Sequence, residues 1–356
     1  MDPRDLPSRY VYLGETHAGG QAEVHICNDS YLDRKVAIKF YSSGADRDEF
    51  LQEVKSLTEI SSLHVAELYD LVPNPSGLPG IVQEFVSGSV LDGFSATTPS
   101  LDAYLRVIYQ IACGISDLHG REIVHRDIKP HNMRFDSEGV VKILDFGLSV
   151  NLSPSAETVV SRGTFGFRAP EFYHTAPVAI TYAMDVYAFG ATAWFLAEGG
   201  LPDVLREIPP MSSGLPPLFS TLHPEFAGSV SEILDQCLQS DPSNRPRMED
   251  VRDVLEQFLL RGQHRAEMVS GATRHVLNNP GEVVRLRSIG LGEIVVLYDG
   301  FRFIVESVSG LVFVNNMPAY VGQELPGSCV LTLGGAEAGY NRQFVPFNVS
   351  HPEVVI

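Results

Sequence analysis

The sequence predicts an α+β architecture followed by a small all-β, sandwich-like domain. Three observations carry that prediction. His125-Arg126-Asp127-Ile128-Lys129-Pro130-His131-Asn132 is followed, thirteen residues on, by Asp145-Phe146-Gly147. Val36-Ala37-Ile38-Lys39 alternates as a strand does, and Phe50, Val54 and Leu57 then recur at i, i+4 and i+7 as on a helix. Beyond Asn278-Asn279-Pro280-Gly281 the pattern becomes short β-like runs separated by glycine turns.

Composition narrows the function classes. The chain has 356 residues, 44% of them hydrophobic, enough for two substantial cores. Residues 1–9 form a charged tail opening Met1-Asp2-Pro3-Arg4-Asp5, which does not read as a secretory signal. No apolar stretch reaches bilayer length. The expectation is a cytoplasmic chain without a membrane span. Cys27, Cys113, Cys237 and Cys329 lie far apart, without metal spacing, and read as free thiols. The net charge is −18 and only five lysines occur, so neither nucleic acid nor an anionic membrane is an expected partner. The acidic balance points weakly to basic substrates and more simply to solubility.

The motifs follow in order. Leu13 to Val24 is a glycine-bearing turn between strands, with Gly19 and Gly20 free of side chains. Lys39 ends a packed strand, and Glu53 sits within the helical pattern after it. The Asp127, Lys129, Asn132 and Asp145 set is what moving a phosphoryl group to a hydroxyl requires. One carboxylate accepts the hydroxyl proton, a cation offsets phosphoryl charge, and hard oxygen ligands hold a divalent metal. Gly163-Thr164-Phe165-Gly166-Phe167-Arg168-Ala169-Pro170-Glu171, Asp185-Val186-Tyr187-Ala188-Phe189-Gly190 and Asp241-Pro242-Ser243-Asn244-Arg245-Pro246 come next.

From about Tyr10 to Leu260 this order resembles the eukaryotic-type protein kinase catalytic domain, in its bacterial serine/threonine form. The resemblance implies the two-lobed protein kinase fold, with an N-lobe at 10–85 and a C-lobe at 86–260. It implies ATP with Mg²⁺, or alternatively Mn²⁺, and protein substrates with serine or threonine acceptors. Lys39 is then the phosphate-binding lysine paired with Glu53. Gly19, Gly20 and Val24 belong to the loop over the phosphates, and Ala37 lies near the adenine. Gln83 is the gatekeeper, and the backbone of Glu84 and Val86 meets the base. Asp127 orients the acceptor hydroxyl, Lys129 reaches the γ-phosphate, and Asn132 and Asp145 hold the metal. Lys129 and Thr164 mark the serine/threonine class. Arg126 accepts an activation-loop phosphate, for which Thr158 and then Ser161 are the favoured sites. Glu171 pairs with Arg245, Asp185 bonds the catalytic-loop backbone, and His125 packs beside Leu57 and Phe146.

The sequence also departs from the family. His17 and Ala22 replace two of the loop's three glycines. Arg134 stands where an aliphatic residue usually lies beneath the adenine, and could stack on the base through its guanidinium plane or point away. Residues 201–217 are proline-rich and replace a lower-lobe helix.

Residues 261–281 read as a polar, partly helical linker, and 282–356 as the small β domain. Ser307 to Asn315 and Leu325-Pro326-Gly327-Ser328 resemble stretches of the forkhead-associated domain. Leu291 follows Ile289-Gly290 where that family's phosphate-binding arginine would be, and Ser309 replaces its asparagine, so phosphopeptide capture is not implied. A protein partner or a dimerising role remains open for this domain. Two other readings stand beside the kinase: a nucleotide-bound, pseudokinase-like scaffold without turnover, and a small-molecule kinase. The intact segment Gly163 to Glu171 argues against the latter.

Overall fold

Strand β1 (Tyr10–Ala18) runs antiparallel to β2 (Ala22–Asp29), and β2 to β3 (Arg34–Tyr41). Helix α1 (Arg47–Glu59) follows, then β4 (Leu68–Val72) and β5 (Gly80–Glu84), giving the sheet order β1-β2-β3-β5-β4. The computed structural model describes residues 6–18, 22–42, 46–75, 77–97, 99–152, 157–158, 163–173, 177–222, 228–271 and 273–350. Gly19, Gly20 and Ser161 lie outside the described residues, as does the side chain of Thr158.

This upper sheet is built around buried β3. Val36, Ile38 and Phe40 pack with Tyr10, Cys27, Val72 and Val82. Asp46 caps α1 by accepting a hydrogen bond from Asp48 N. The helix buries Phe50, Glu53, Ser56 and Leu57. A glutamate inside an apolar stripe needs a cation to satisfy it.

The lower lobe is mainly helical. Helix α2 (Leu101–His119), capped by Ser100, precedes four short strands: β6 (Ile123–Val124), β7 (Met133–Phe135), β8 (Val141–Ile143) and β9 (Val150–Asn151). Pairing of β6 with β9 and of β7 with β8 fixes the ends of the loops between them. Strand β10 (Glu157–Thr158) pairs with β11 (Val178–Ala179). Helix α3 (Ala183–Glu198) is buried along most of its length. Helices α4 (Phe219–Leu222), α5 (Ser229–Cys237) and α6 (Met248–Leu259) complete the lobe. Between α3 and α4 the proline-rich segment forms only a short 3₁₀ turn, Asp203–Arg206. No helix among the described residues is long and apolar enough to cross a membrane.

The chain divides into two compact units, Met1–Leu255 and Glu256–Val355. In the second unit β12 (Arg265–Ser270), β13 (Thr273–Leu277), β14 (Val283–Ser288), β15 (Gly292–Tyr298) and β16 (Phe303–Gly310) come first. They are followed by β17 (Val312–Val314), β18 (Met317–Pro318), β19 (Ser328–Leu333) and β20 (Gln343–Ser350). One sheet has the order β13-β12-β20-β19-β17-β18 and the other β14-β15-β16. Met268, Ile294, Tyr298, Phe303, Leu331 and Phe347 lie in their common core.

One sequence expectation is corrected here. Residues 265–277, read as linker, form a hairpin of this domain, because β12 pairs with β20 as well as β13. Ala266 and Met268 are fully buried while Arg265 and Val269 are exposed, the alternation of a strand packed on one face.

Candidate active site

The loop between β6 and β7 is held from below. Asp185, fully buried on α3, accepts from His125 N and Arg126 N at 2.8 Å each, and His119 Nε2 lies 3.2 Å from the same carboxylate. Burial opposes ionisation of Asp185, but the His119 contact, the charge of His125 and these amides outweigh it and hold its pKa below the ordinary value of 3.8. Arg126 is left-handed at φ 66°, a costly conformation for a non-glycine residue that the Asp185 bonds fix in place. The Arg126 guanidinium donates to Leu148 O. His125 packs edge-on against Phe146, centroids 4.8 Å apart, and its Nε2 lies 3.2 Å from Leu144 O.

Above this floor the polar groups converge. Lys129 Nζ donates to Asp127 Oδ2 at 2.8 Å and also to Thr164 Oγ1. Thr164 Oγ1 donates to Asp127 Oδ1 at 2.7 Å. Asn132 Nδ2 donates to the Asp127 carbonyl and to Oδ2, both at 2.9 Å. The Asp127 carboxylate is thereby fixed by three side chains from two segments.

The second cluster joins the lobes. Lys39 Nζ donates to Glu53 Oε1 and Oε2 at 2.8 and 3.1 Å, and to Asp145 Oδ1 at 2.8 Å. Two carboxylates share one ammonium. Burial lowers the Lys39 pKa, yet Glu53 and Asp145 outweigh burial and leave it raised. Glu53 is 1% exposed, so its desolvation dominates and its pKa is raised, only partly offset by Lys39. Asp145 has a half-exposed side chain; Lys39 overcomes its desolvation and lowers its pKa. Asp145, like Arg126, is left-handed, at φ 61°.

A cleft of about 780 Å³ gathers Ala18, Val24, Ala37, Lys39, Gln83, Glu84, Val86, Asp127, Asn132, Arg134 and Asp145. The expected catalytic and nucleotide-site residues within the described part therefore meet in one place, with Glu53 behind Lys39 and Lys129 beside Asp127. His17 lies on the rim, its Nε2 2.8 Å from Glu15 Oε1. Lower down, Arg245 makes a two-pronged bond to Glu171 at 2.8 Å for each oxygen.

The structure adds lining residues that sequence reasoning passed over: Ile26, Tyr41, His131, Leu144 and Arg168. Three of these had a readable signal: Leu144 adjoins Asp145-Phe146-Gly147, while His131 and Arg168 lie inside named motifs without a role assigned to them. His131 pairs with Asp92 at 3.8 Å, a contact across distant segments that no local pattern reveals.

A model of the protein kinase domain matches residues 10–255. The chain belongs to the protein kinase family. Similar kinases include the serine/threonine-protein kinase PrkC of Bacillus subtilis, 32% identical over 206 residues, covering 55% of this chain and 31% of that protein. PknA of Corynebacterium glutamicum, also named a serine/threonine-protein kinase, is 33% identical over 245 residues, covering 64% and 51%. The probable serine/threonine-protein kinase PknB of Lactococcus lactis is 28% identical over 262 residues, covering 69% and 41%. The chain thus spans about a third to a half of the length of these curated relatives. The matched kinase domain ends before the β unit begins.

Proposed function

We propose that this chain is a serine/threonine protein kinase that transfers the γ-phosphoryl group of ATP, bound with Mg²⁺, to hydroxyls of protein substrates. The observation that carries the proposal is the closed Asp127–Lys129–Thr164 triangle. It ties the carboxylate that receives the acceptor hydroxyl to the segment on which a peptide would lie. Asp127 orients the hydroxyl and takes its proton late, and Lys129 offsets charge on the transferred phosphoryl. Lys39, anchored by Glu53, binds the α- and β-phosphates.

The metal fits the donors present. Asn132 uses its amide nitrogen on Asp127, leaving its amide oxygen for a cation, and the half-exposed Asp145 offers a carboxylate on the same cleft. Such hard oxygen donors suit Mg²⁺ shared with phosphates, and Mn²⁺ also matches the set. Held by Asn132 and Asp145, such an ion would supply charge neutralisation to the phosphates.

Regulation belongs to the same proposal. Thr158, on β10, and Ser161 are the autophosphorylation sites, with Arg126 as the phosphate's partner. The β unit is a forkhead-associated-like docking or regulatory module, and a cytoplasmic location accords with the reading. Two sheets packed on one core support a sandwich of that kind. Leu291 occupies the place of the phosphate-binding arginine and packs against that core, which favours a partner other than a phosphopeptide.

Incubation with Mg·ATP followed by mass spectrometric mapping tests the proposal. Phosphate on Thr158 or Ser161 of the wild type, absent from Asp127→Asn, is the expected result. ATP binding with no phosphate on any protein side chain would count against it.

A further inference from the structure

Arg134 and Lys142 face each other across the β7–β8 ribbon as register partners, so their side chains leave the same face. Both reach the hinge, the stretch from Glu84 at the end of β5 onward that joins the two lobes. Arg134 Nη1 donates to Gly88 O at 3.1 Å and, more weakly, to Val86 O at 3.4 Å. Lys142, itself buried, donates to Glu84 Oε2 at 3.1 Å. The segment is also tied to this ribbon through its backbone. Gly88 N donates to Phe135 O at 2.9 Å, and a side chain at Gly88 would collide with that carbonyl.

The cleft gives this arrangement its meaning. Val24 and Ala37 line it from the upper sheet, whereas Arg134 lines it from β7 in the lower lobe. Lys142 already engages the Glu84 carboxylate. Among the described residues, Arg134 hydrogen-bonds to carbonyl oxygens rather than to a carboxylate. A guanidinium fixed in this way keeps its charge on the wall opposite Ala37. A planar cation there attracts the face of an electron-rich ring.

We propose that Arg134 is a nucleotide-specificity residue: held against the hinge carbonyls, its guanidinium forms a cationic floor on which the purine base stacks. Lys142 is the positioning residue that keeps the hinge in register over that floor. This deepens the kinase reading and rests on it.

The test measures dissociation constants of ATP, 7-deaza-ATP and 8-aza-ATP by calorimetry on the full chain. These three share the adenine edge that meets the hinge but differ in ring electron density. A cationic floor orders them with the electron-rich 7-deaza analogue tightest and 8-aza-ATP weakest, spread by about fivefold or more. Arg134→Leu, and Arg134→Met as a second variant, weaken ATP about fivefold and compress the series to within about twofold. Arg134→Lys retains part of the spread. Lys142→Met weakens all three nucleotides by one common factor and preserves the spread. A wild type without the ordering, or leucine and methionine variants that keep it, overturns the role of Arg134. Unchanged affinities in Lys142→Met overturn that of Lys142. Phosphate transfer is followed in parallel. Ordered binding by a wild type that transfers no phosphate overturns the kinase reading and leaves the floor standing.

Discussion

Thr164 Oγ1 donates to Asp127 Oδ1 at 2.7 Å while accepting from Lys129 Nζ. One hydroxyl thus locks the Asp127 carboxylate to the segment that ends at Ala169-Pro170-Glu171. Thr164→Val removes both bonds at nearly constant volume. It should lower kcat for peptide phosphorylation by about 100-fold, the cost of a small misplacement of reacting groups. The KM for ATP should stay within about twofold, because neither bond involves Lys39, Glu84 or Val86. Thr164→Ser restores the hydroxyl and should recover most of the rate. Steady-state kinetics on the three proteins decide it.

On the proposed function, the Lys39–Glu53 pair should set an acid limit on nucleotide use. Desolvation raises the Glu53 pKa above its ordinary 4.5, with Lys39 offsetting only part. A raised acid stabilises the fold most below its ordinary value, and that contribution is lost as pH rises through the folded value. The ion pair runs the other way: it exists only above the folded value and dissolves as pH falls through it. The acid limb of kcat/KM for ATP should therefore lie above pH 4.5. The lowered Asp145 pKa places its own titration below 3.8, outside that window. Glu53→Gln should remove the limb and lower the plateau. A profile of kcat/KM from pH 4.5 to 8 for both proteins measures this.

Strand β12 should behave as core. Met268 is fully buried in the β unit. Met268→Ala in the full chain should cost that unit about 3 kcal/mol, the usual range for truncating a buried methionine. Denaturant titration followed by a probe in the β unit reports it. A change under about 0.5 kcal/mol, typical of exposed sites, would contradict the placement of β12.

The kinase unit was legible because phosphoryl transfer needs particular groups at short, fixed spacings. Asp127, Lys129 and Asn132 lie within six residues, and Asp145 belongs to a motif of its own. Lys39 and Glu53 could be read from strand alternation and helical recurrence. Pairings over long sequence distances were less visible. Residues 265–277 carry Arg265, Glu267, Arg274 and His275, which masked the alternate burial of Ala266 and Met268. The partner β20 lies some eighty residues on, and that pairing, with the hairpin pairing to β13, distinguishes a sheet strand from a linker. Arg134 was visible as a departure, but its bonds to Gly88 and Val86 were not. Lys142 gave no local sign that it would be buried against Glu84.

The most direct test of the account is transfer of labelled γ-phosphate from ATP to a basic protein substrate, with phosphoamino-acid analysis. Wild type should be compared with Asp127→Asn after matched ATP affinity has been verified by calorimetry. The account predicts phosphoserine or phosphothreonine from the wild type, and a rate at least about 100-fold lower in the variant at unchanged ATP affinity. Equal rates in the two proteins, or phosphate appearing only in water, would contradict it.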